Sequence, residues 1–405
     1  MSALQLTVLV CTAQVLAQIG AFSVPALLPR FIADWSLTNT EAGWITGIFY
    51  LGYVAAVPVL VSLTDRIDPK RVYLFGVSMI TLAGFGFAFL AEGFWSAVLF
   101  RLVWGIGWAG TYMPGLKALS DIVEGPGQSR AVAGHAASIG ISGALSFVIA
   151  GTVAETFGWR FGVAVGGVGA ALSFLIMLFG LPARPPKPVE GPKTALLDFR
   201  PVMTNRSAMA YSIGYCVHTL EMGALRNWVV AFLAFAAAGT GSAAAGDWLA
   251  PTAVASAMGL FGVWASVTGN ELSIRFGRRR LILGVMTLAL FVAAGIGFAS
   301  GVSYILAAGL VIVYAVLIWA DSSSLTAGAA GSARPGQRGA TLAVHSTLGY
   351  TGGFVGPLVI GGVLDLMGGM SVLAWGVAFA AVAVIMLAGP LAILILKPEG
   401  LAGDR

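Results

Sequence analysis

Charged side chains are scarce in this chain: Asp, Glu, Lys and Arg together make up 10% of its 405 residues. A soluble globular domain carries about one quarter charged residues. Hydrophobic residues reach 58%, and the mean hydropathy is +0.91. The shortage of charge therefore excludes an ordinary soluble protein, and we expect most of the chain to lie in a lipid bilayer.

Cysteine and the residue patterns of common catalytic sites are also missing. The two cysteines, Cys11 and Cys216, lie inside apolar runs, so we expect buried thiols and no disulfide framework. The chain has no His/Glu pair with zinc-ligand spacing, no Gly-x-Ser-x-Gly sequence and no phosphate-binding Gly-Lys loop. We therefore expect neither an enzyme nor a sensor, and we expect no cofactor and no metal site.

Long apolar runs are what the chain does contain, and a membrane-spanning helix needs about 20 apolar residues. Twelve runs of that size fall near residues 5–28, 42–63, 73–91, 95–117, 131–153, 161–181, 208–236, 249–272, 281–299, 303–327, 339–362 and 371–396. The first run has no preceding Lys or Arg and no small-residue cleavage site, so it is expected to be retained as a helix. The runs predict an all-α membrane protein with 12 transmembrane helices.

The positions of the cations predict the orientation in the membrane. With a cytoplasmic amino terminus and twelve spans, most Lys and Arg residues fall in inner connections, whereas the outer connections carry mainly acidic residues, among them Asp365. Cytoplasmic loops of membrane proteins hold such an excess of cations. We expect a multi-pass protein of the bacterial inner membrane with both termini in the cytoplasm. The net charge of +5 then reflects topology, and no basic patch interleaved with aromatic residues predicts nucleic-acid binding.

A stretch rich in proline and cations divides the apolar runs into two sets of six. It predicts an extended cytoplasmic linker at 184–206. This linker would join a six-helix bundle at 1–183 to a second bundle at 207–396, with a cytoplasmic tail at 397–405.

The two halves also resemble each other. Shifting the chain by about 210 positions aligns Arg66 with Arg275, Trp108 with Trp319, His135 with His345, Gly143 with Gly353, Gly151 with Gly361, and Glu155 with Asp365. A repeat of six-helix units in one orientation is typical of transporters whose substrate site lies between the halves.

Two connections carry a recognisable motif. The one after the second run reads VSLTDRIDPKR, from Val61 to Arg71, and the one after the eighth reads RFGRRR, from Arg275 to Arg280. Both resemble the signature Gly-x-x-x-Asp-Arg-x-Gly-Arg-Arg of the major facilitator superfamily. Val61 replaces the leading Gly of the first copy, and Ile274 replaces the Asp of the second.

The residues that match this motif are the first candidate gating residues. Asp65, Arg66 and Arg71 match in the first copy, and Arg275 matches in the second. The resemblance implies that the loop pairs with neighbouring helix ends and stabilises one conformational state. A charge-assisted bond between a carboxylate and an arginine, broken when the halves move, would serve this role. The triplet Arg278–Arg280 is interpreted as an anchor on the inner side.

Three other stretches are similar to the same family. RLVWGIGWAG, starting at Arg101, resembles its fourth-helix pattern; GWR, starting at Gly158, resembles the end of its fifth helix; and GGFVGPLVIGG, starting at Gly352, resembles a Gly-Pro-rich packing helix. The resemblance covers essentially the whole chain. It implies two pseudo-symmetric six-helix bundles that rock against each other during transport.

The seventh run holds the densest group of polar side chains. At 100° per residue, Tyr211, Tyr215, His218, Glu221 and Arg226 fall within a sector of about 140°. A charge at the centre of a bilayer costs about 2.5–3.5 kcal/mol, so such groups are functional candidates. The shared face predicts contact with a water-filled cavity. The alternative is a structural network of His218, Glu221 and Arg226.

The first and fourth runs add further candidates. Gln14 and Gln18 share one face of the first helix, where they could bond a ligand or each other. Arg101 lies about two turns inside the fourth helix and needs an anion or several carbonyl groups. The resemblance implies a role for Arg101 in substrate binding or proton coupling. Lys117, near the inner end of that helix, is interpreted as extending its ammonium group to the surface.

The tenth run places Asp321 among hydroxyl side chains, shortly after Trp319. A desolvated carboxyl group can take up and release a proton near neutral pH, so Asp321 and Glu221 are the candidate proton-coupling residues. His135 and His345 occupy matching places near the inner ends of the fifth and eleventh helices. They could relay protons, but hydrogen bonding at a gate is the preferred interpretation.

We predict a monomeric secondary transporter that couples proton movement to transport of a small, organic-acid-like anion across the lipid bilayer. The candidate substrate-binding residues are Arg101, His218, Glu221, Arg226, Tyr211, Tyr215, Gln14, Gln18, Trp108 and Trp319. The candidate gating residues are Asp65, Arg66, Arg71, Arg275, His135 and His345. The alternative is proton-driven efflux of drugs or other hydrophobic or cationic compounds. The fifth run lacks the proline of family members that exchange drugs for protons.

Overall fold

The computed structural model of the chain describes residues 2–123, 126–184, 199–240, 249–335 and 337–401. Within those ranges the regular structure is helical, and no strand occurs. The predicted fold class, an all-α membrane protein, is therefore confirmed. The predicted linker and carboxyl-terminal tail lie partly outside the described residues.

The helices follow one another along the chain with short connections. The helices before the predicted linker are α1 (Ala3–Gln18), α2 (Ser23–Ala26), α3 (Leu28–Asp34), α4 (Asn39–Leu63), α5 (Pro69–Leu90), α6 (Phe94–Ala109), α7 (Tyr112–Ser120), α8 (Pro126–Phe157) and α9 (Trp159–Gly180). The helices that follow are α10 (Arg200–Met203), α11 (Arg206–Thr240), α12 (Pro251–Phe276), α13 (Arg278–Ile296), α14 (Tyr304–Ala320), α15 (Ser322–Gly331), α16 (Arg338–Leu366), α17 (Val372–Met386) and α18 (Ala388–Leu396).

Each predicted apolar run coincides with a helix or with two consecutive helices. Among the described residues, ten helical segments are long and apolar enough to cross a membrane, with α14 and α15 forming one segment and α17 and α18 another. The first run corresponds mainly to α1, which has 16 residues. The fourth run is divided between α6 and α7.

Four of the runs contain a break in the helix, and proline accounts for three of them. Pro25, Pro114 and Pro390 lie beside the breaks in the first, fourth and twelfth runs. Proline lacks an N–H group and clashes with the preceding turn, so it interrupts helical hydrogen bonding. The tenth run breaks without proline, at Asp321, which ends α14 and precedes α15.

The chain divides into two compact units. The first comprises residues 1–27 and 48–196, and the second comprises residues 28–47 and 197–405. The boundary near residue 197 falls inside the linker predicted at 184–206. The second unit also contains α3 and the start of α4, which the division of the sequence into two six-helix halves does not predict.

In the first unit, α1 packs against α8 and α9, and small residues bring the backbones together. A Cβ atom at Gly20 would overlap the backbone of Gly166, so this crossing requires glycine. Aliphatic side chains of α1, such as Val10, form an apolar core with residues of α5, α7 and α9. The hydroxyls of Tyr73 and Ser173 are 3.0 Å apart within it.

In the second unit, α11 packs along α16 at a similarly close distance. A Cβ atom at Gly352 would overlap the carbonyl group of Cys216, and one at Gly356 would overlap that of Leu220. Trp228 donates its indole N–H to the Pro357 carbonyl oxygen at 3.0 Å. These contacts hold α11, the helix with the densest polar face, in a defined position against α16.

Candidate functional site

His218 and Asp321 form a buried pair in the second unit. The Nδ1 atom of His218 lies 2.9 Å from an Asp321 carboxylate oxygen, and each side chain is 1% exposed. The same nitrogen lies 2.9 Å from the Ile318 carbonyl oxygen at the end of α14. Helix ends leave carbonyl groups unpaired, so the break at Asp321 places the Ile318 carbonyl oxygen within hydrogen-bond reach of His218, beside the Asp321 carboxylate.

Asp321 occupies the amino-terminal cap position of α15, yet its side chain makes no capping hydrogen bond. Aspartate is a favoured capping residue because its carboxylate accepts from the first free N–H groups of a helix. Here the carboxylate faces the imidazole of His218. Asp321 therefore lies at the helix break, but its carboxyl group faces His218 of α11 and not the first N–H groups of α15.

Glu221 lies one turn beyond His218 on α11 and is 1% exposed. Neither carboxylate oxygen has a hydrogen-bond partner among the described residues. Enclosing an ionised carboxylate without partners is costly. Glu221 thus combines near-complete burial with a carboxyl group that has no hydrogen-bond partner among the described residues.

His345 joins this group through aromatic stacking. Its ring stacks on Tyr215 with centroids 4.1 Å apart, and the other stacking partner of Tyr215 is His218 at 5.4 Å. The two His345 nitrogens lie 3.5 Å from the Ser212 hydroxyl and 3.2 Å from the Thr326 hydroxyl. The structure therefore places His345, a predicted gating residue, beside the predicted binding residues of α11.

Arg226 and Trp319 also lie together. The guanidinium carbon of Arg226 is 4.7 Å from the centre of a Trp319 ring. A cation over an indole face gains electrostatic stabilisation from the aromatic quadrupole. Within the described ranges, no cluster of three or more His, Cys, Asp or Glu side chains is arranged to hold a metal ion.

Tyr211 lies in a mainly apolar part of the second unit. Its ring packs in an apolar cluster that contains Met286, Leu325 and Ile393. It also covers Gly328, where a Cβ atom would lie 2.6 Å from the ring. Although Tyr211 shares the polar sector of α11 by sequence spacing, its surroundings are those of a core residue.

Arg101 is enclosed in the first unit. It is 1% exposed, and its Nη1 donates to the Ala21 carbonyl oxygen at 3.2 Å, where the first run is broken. Its guanidinium carbon lies 4.4 Å from the centre of the Phe49 ring and 5.8 Å from that of Trp104. Arg101 therefore stabilises the break between α1 and α2.

Three other predicted binding residues also lie in the first unit. Gln14 and Gln18 are buried, and neither polar atom of the Gln14 amide has a hydrogen-bond partner among the described residues. The two glutamines therefore do not bond each other through Gln14. Trp108 stacks on Phe49 with ring centroids 4.9 Å apart.

The remaining gating candidates are distributed over the surface and the core. Asp65 pairs with Lys117 at 3.6 Å, and Lys117 also lies 3.5 Å from Asp121. Lys117 is thus an ion-pair partner as well as a surface cation. Arg66 and Arg71 are exposed.

Arg275 and His135 have contrasting surroundings. Arg275 is exposed and pairs with Glu271 at 2.9 Å. The ring of His135 is buried and stacks on Tyr112 with centroids 5.3 Å apart. Neither ring nitrogen of His135 has a hydrogen-bond partner in the part of the chain that the structure describes.

The interpretation of Arg278 as a simple anchor was wrong. Its side chain is buried, and Nη1 donates to the Asn270 amide oxygen and to the Ser324 carbonyl oxygen, both at 3.1 Å. Arg278 therefore connects α12, α13 and α15. The sequence signal was available, because Arg278 lies in the second copy of the motif and not only in a run of cations.

Asp365 was not among the predicted site residues. Its carboxylate accepts from the backbone N–H groups of Asn39 and Thr40 at 3.0 and 2.7 Å, and from the Asn39 amide at 2.8 Å. It therefore caps the amino terminus of α4. A carboxylate is unfavourable at the carboxyl end of its own helix, so its position near the end of α16 was a signal for an external partner.

In the described part of the chain, helices long and apolar enough to cross a membrane enclose titratable groups among them, an arrangement characteristic of membrane transporters. The chain belongs to the Major Facilitator Superfamily, whose family model matches residues 10–251. The resemblance seen in the motifs is therefore confirmed.

Curated relatives match about half of the chain. Protein spinster homolog 3 of Danio rerio is 24% identical over 232 residues, covering 55% of this chain and 46% of the relative. Protein spinster homolog 1 of Homo sapiens is 25% identical over 243 residues, covering 57% and 46%. The niacin transporter NiaP of Acinetobacter baylyi is 24% identical over 151 residues, covering 37% and 34%. The chain thus spans about half the length of the spinster relatives it matches.

Solved structures match over nearly the full length. A bacterial homologue of the human lysosomal transporter spinster, in an inward-facing and occupied conformation, superimposes with a TM-score of 0.72 and 16% identity, covering 96% of this chain and 94% of that one. A mutant of the nucleoside transporter NupG gives a TM-score of 0.76 and 13% identity, covering 96% and 99%. At these identities the likeness establishes a shared fold.

Proposed function

We propose that this protein is a proton-coupled secondary transporter that moves a small organic anion by alternating access. The observation that carries the proposal is the enclosed group of His218, Asp321 and Glu221, each 1% exposed. We further propose that it works as a monomer in the bacterial inner membrane, with both termini in the cytoplasm.

Charge balance in the enclosed group favours protons as the coupling ion. With both carboxyl groups ionised, the group is negative whether or not His218 carries a proton. Net charge in a dry interior is expensive, so at least one carboxyl group is expected to be protonated in the enclosed state. Opening to water on either side removes that penalty and allows the proton to leave.

Arg226 supports an anionic substrate. It follows Glu221 by five residues on α11 and keeps its guanidinium over the face of Trp319, so the helix that carries Glu221 also carries a planar cation with five N–H donors. Neutralising Glu221 removes a negative charge that would repel an incoming carboxylate. Proton binding and anion binding would then each strengthen the other, as linkage requires for cotransport. The partial relative NiaP is named for niacin, a carboxylic acid.

Proton-driven efflux of hydrophobic or cationic compounds is the second candidate function. It is favoured by the Glu221 carboxylate, which has no hydrogen-bond partner among the described residues and could bind an amine. A partial relative from Arabidopsis thaliana is named a probable sphingolipid transporter. In this reading, Glu221 would exchange a proton for the cationic group of the substrate.

A ligand screen followed by a transport assay separates the two functions. Ligands that bind the folded state raise its apparent thermal stability, so the purified protein would be heated with panels of carboxylates, amines and lipophilic cations. Hits would be tested in liposomes that contain a pH-sensitive dye. Saturable carboxylate entry with protons moving in the same direction supports the proposal. Cation transport against proton movement, lost in Asp321→Asn, would replace it with the second candidate.

A further inference from the structure

The start of α4 lies directly against α16 within the second unit. A Cβ atom at Gly43 would lie 2.7 Å from the Pro357 carbonyl oxygen, and one at Gly47 would lie 2.8 Å from that of Phe354. Trp44, between the two glycines, packs edge-on against Phe354 with ring centroids 5.4 Å apart. Small residues let two helix backbones approach this closely, so the first turns of α4 pack on the backbone of α16.

Asp365 joins the two helices at one end of this contact. Its carboxylate accepts from the backbone N–H groups of Asn39 and Thr40, at 3.0 and 2.7 Å, and from the Asn39 amide at 2.8 Å. One turn earlier on α16, a Cβ atom at Gly361 would overlap the Asn39 carbonyl group. The carboxylate therefore binds α4 where the two backbones are already in contact.

These hydrogen bonds can be exchanged for bonds to water. Asp365 is half-buried, so water can hydrate its carboxylate and the freed N–H groups when the helices separate. The ionised carboxylate and the positive end of the α4 dipole favour the closed contact. Because water replaces what is lost, the net free-energy difference between the closed and open contact is modest. Asp365 can thus hold α4 without making the contact permanent.

The division into units shows why this contact would have to break. Residues 39–47 of α4 group with the second unit, whereas its residues 48–63 group with the first. If the units move during transport, a helix held by one unit at its start and by the other along the rest must leave one of them. The shorter stretch, 39–47, is the part expected to detach.

We infer that Asp365 is a latch that keeps the start of α4 on α16 in this structure and releases it when the transporter opens on that side of the membrane. The inference rests on the proposed alternating access, and the predicted topology assigns this side to the outside. Asp365 then acts on the equilibrium between two conformations and not on the substrate. It is a gating residue in addition to those predicted from the sequence.

The test measures how readily a water-soluble reagent reaches the contact from outside. Thr46 of α4 is 0% exposed, and its hydroxyl donates within its own helix, to the carbonyl groups of Ala42 and Gly43. Thr46→Cys therefore places a reporter thiol of similar size in the contact. Spheroplasts that express the full chain would be treated with a membrane-impermeant maleimide, in buffer alone. The parent protein corrects for labelling of Cys11 and Cys216.

Adding Asp365→Asn to the Thr46→Cys reporter should speed labelling about fivefold, because loss of a capping interaction changes an opening equilibrium by about that factor. Glu155→Gln is the matched control. It removes the exposed carboxylate at the repeat-related position of α8 and should leave the labelling rate of Thr46→Cys unchanged.

A second reporter separates gating from general loosening of the fold. Thr341 is 1% exposed and lies in the first turn of α16, at the end expected to face the cytoplasm. In inside-out vesicles, Thr341→Cys should label no faster with Asp365→Asn than without it. Faster labelling of both reporters, or an unchanged rate for Thr46→Cys in Asp365→Asn, overturns the latch. Either result leaves the proposed transport function intact, because the labelling needs no substrate.

Discussion

The carboxylate of Asp365, near the end of α16, caps the amino terminus of α4 through Asn39, a residue 326 positions away in the chain. Two backbone N–H groups and one side-chain amide donate to it. The positive end of the α4 dipole and the ionised carboxylate attract each other. Both residues belong to the second unit, and the contact explains why the start of α4 is grouped there.

Asp365→Asn should weaken this contact, because the amide keeps one acceptor oxygen but loses the charge. Capping interactions of this kind contribute about 1 kcal/mol, so the apparent melting temperature of the purified protein should fall. Glu155→Gln is the control, since Glu155 is the repeat-related residue of Asp365 and is exposed at the end of α8. Equal effects of the two substitutions would contradict the cap.

His218 and Asp321 should behave as a coupled pair in a double-mutant cycle. Removing one partner of a buried pair leaves the other uncompensated and costs about 3–5 kcal/mol. His218→Asn and Asp321→Asn should each lower the apparent melting temperature, and the double variant should lose less than the sum of the two. Simple additivity would show that the 2.9 Å contact carries no interaction energy.

Arg278 should matter far more for stability than Arg280 of the same triplet. Arg278→Ala leaves the Asn270 oxygen and the Ser324 carbonyl group without their donor, a loss of about 1–3 kcal/mol for each buried group. Arg280 is exposed, so Arg280→Ala should change the melting temperature little. Equal melting temperatures for Arg278→Ala and Arg280→Ala would contradict this prediction.

Arg226 should be required for anion transport but not for membrane insertion. Arg226→Ala should abolish carboxylate uptake into liposomes while yield and monodispersity stay near those of the wild type. Arg30→Ala is the matched control, because Arg30 is an exposed cation that pairs with Asp34 one turn away on α3. Undiminished uptake by Arg226→Ala would remove this residue from the site.

Sequence reasoning succeeded where periodicity alone carries the information. The apolar runs predicted the helices, and 100° spacing brought Tyr215, His218 and Glu221 to one face of α11. Helical periodicity could not show which residues of other helices contact that face of α11. Asp321 was a candidate because it is a carboxyl group in an apolar run, yet its pairing with His218 depends on the break that ends α14.

The contacts that sequence reasoning missed depend on packing between distant segments. Tyr314 has the sequence surroundings of any buried tyrosine, and only the structure shows its hydroxyl 3.5 Å from the Met386 sulfur. Tyr211 shares the polar sector of α11 by spacing, while its neighbours on α13 and α15 are apolar. Helical periodicity defines a direction, but not the depth or the partner of a side chain.

The most direct test of the account concerns Glu221 as the coupling residue. Liposomes reconstituted with Glu221→Gln or with Glu92→Gln, which removes an exposed carboxylate between α5 and α6, would be placed in a pH gradient. Glu92→Gln should accumulate the transported carboxylate like the wild type. Glu221→Gln should exchange internal for external substrate but not accumulate it. Gradient-driven accumulation by Glu221→Gln at the wild-type level would contradict the proposed role of the enclosed carboxyl group.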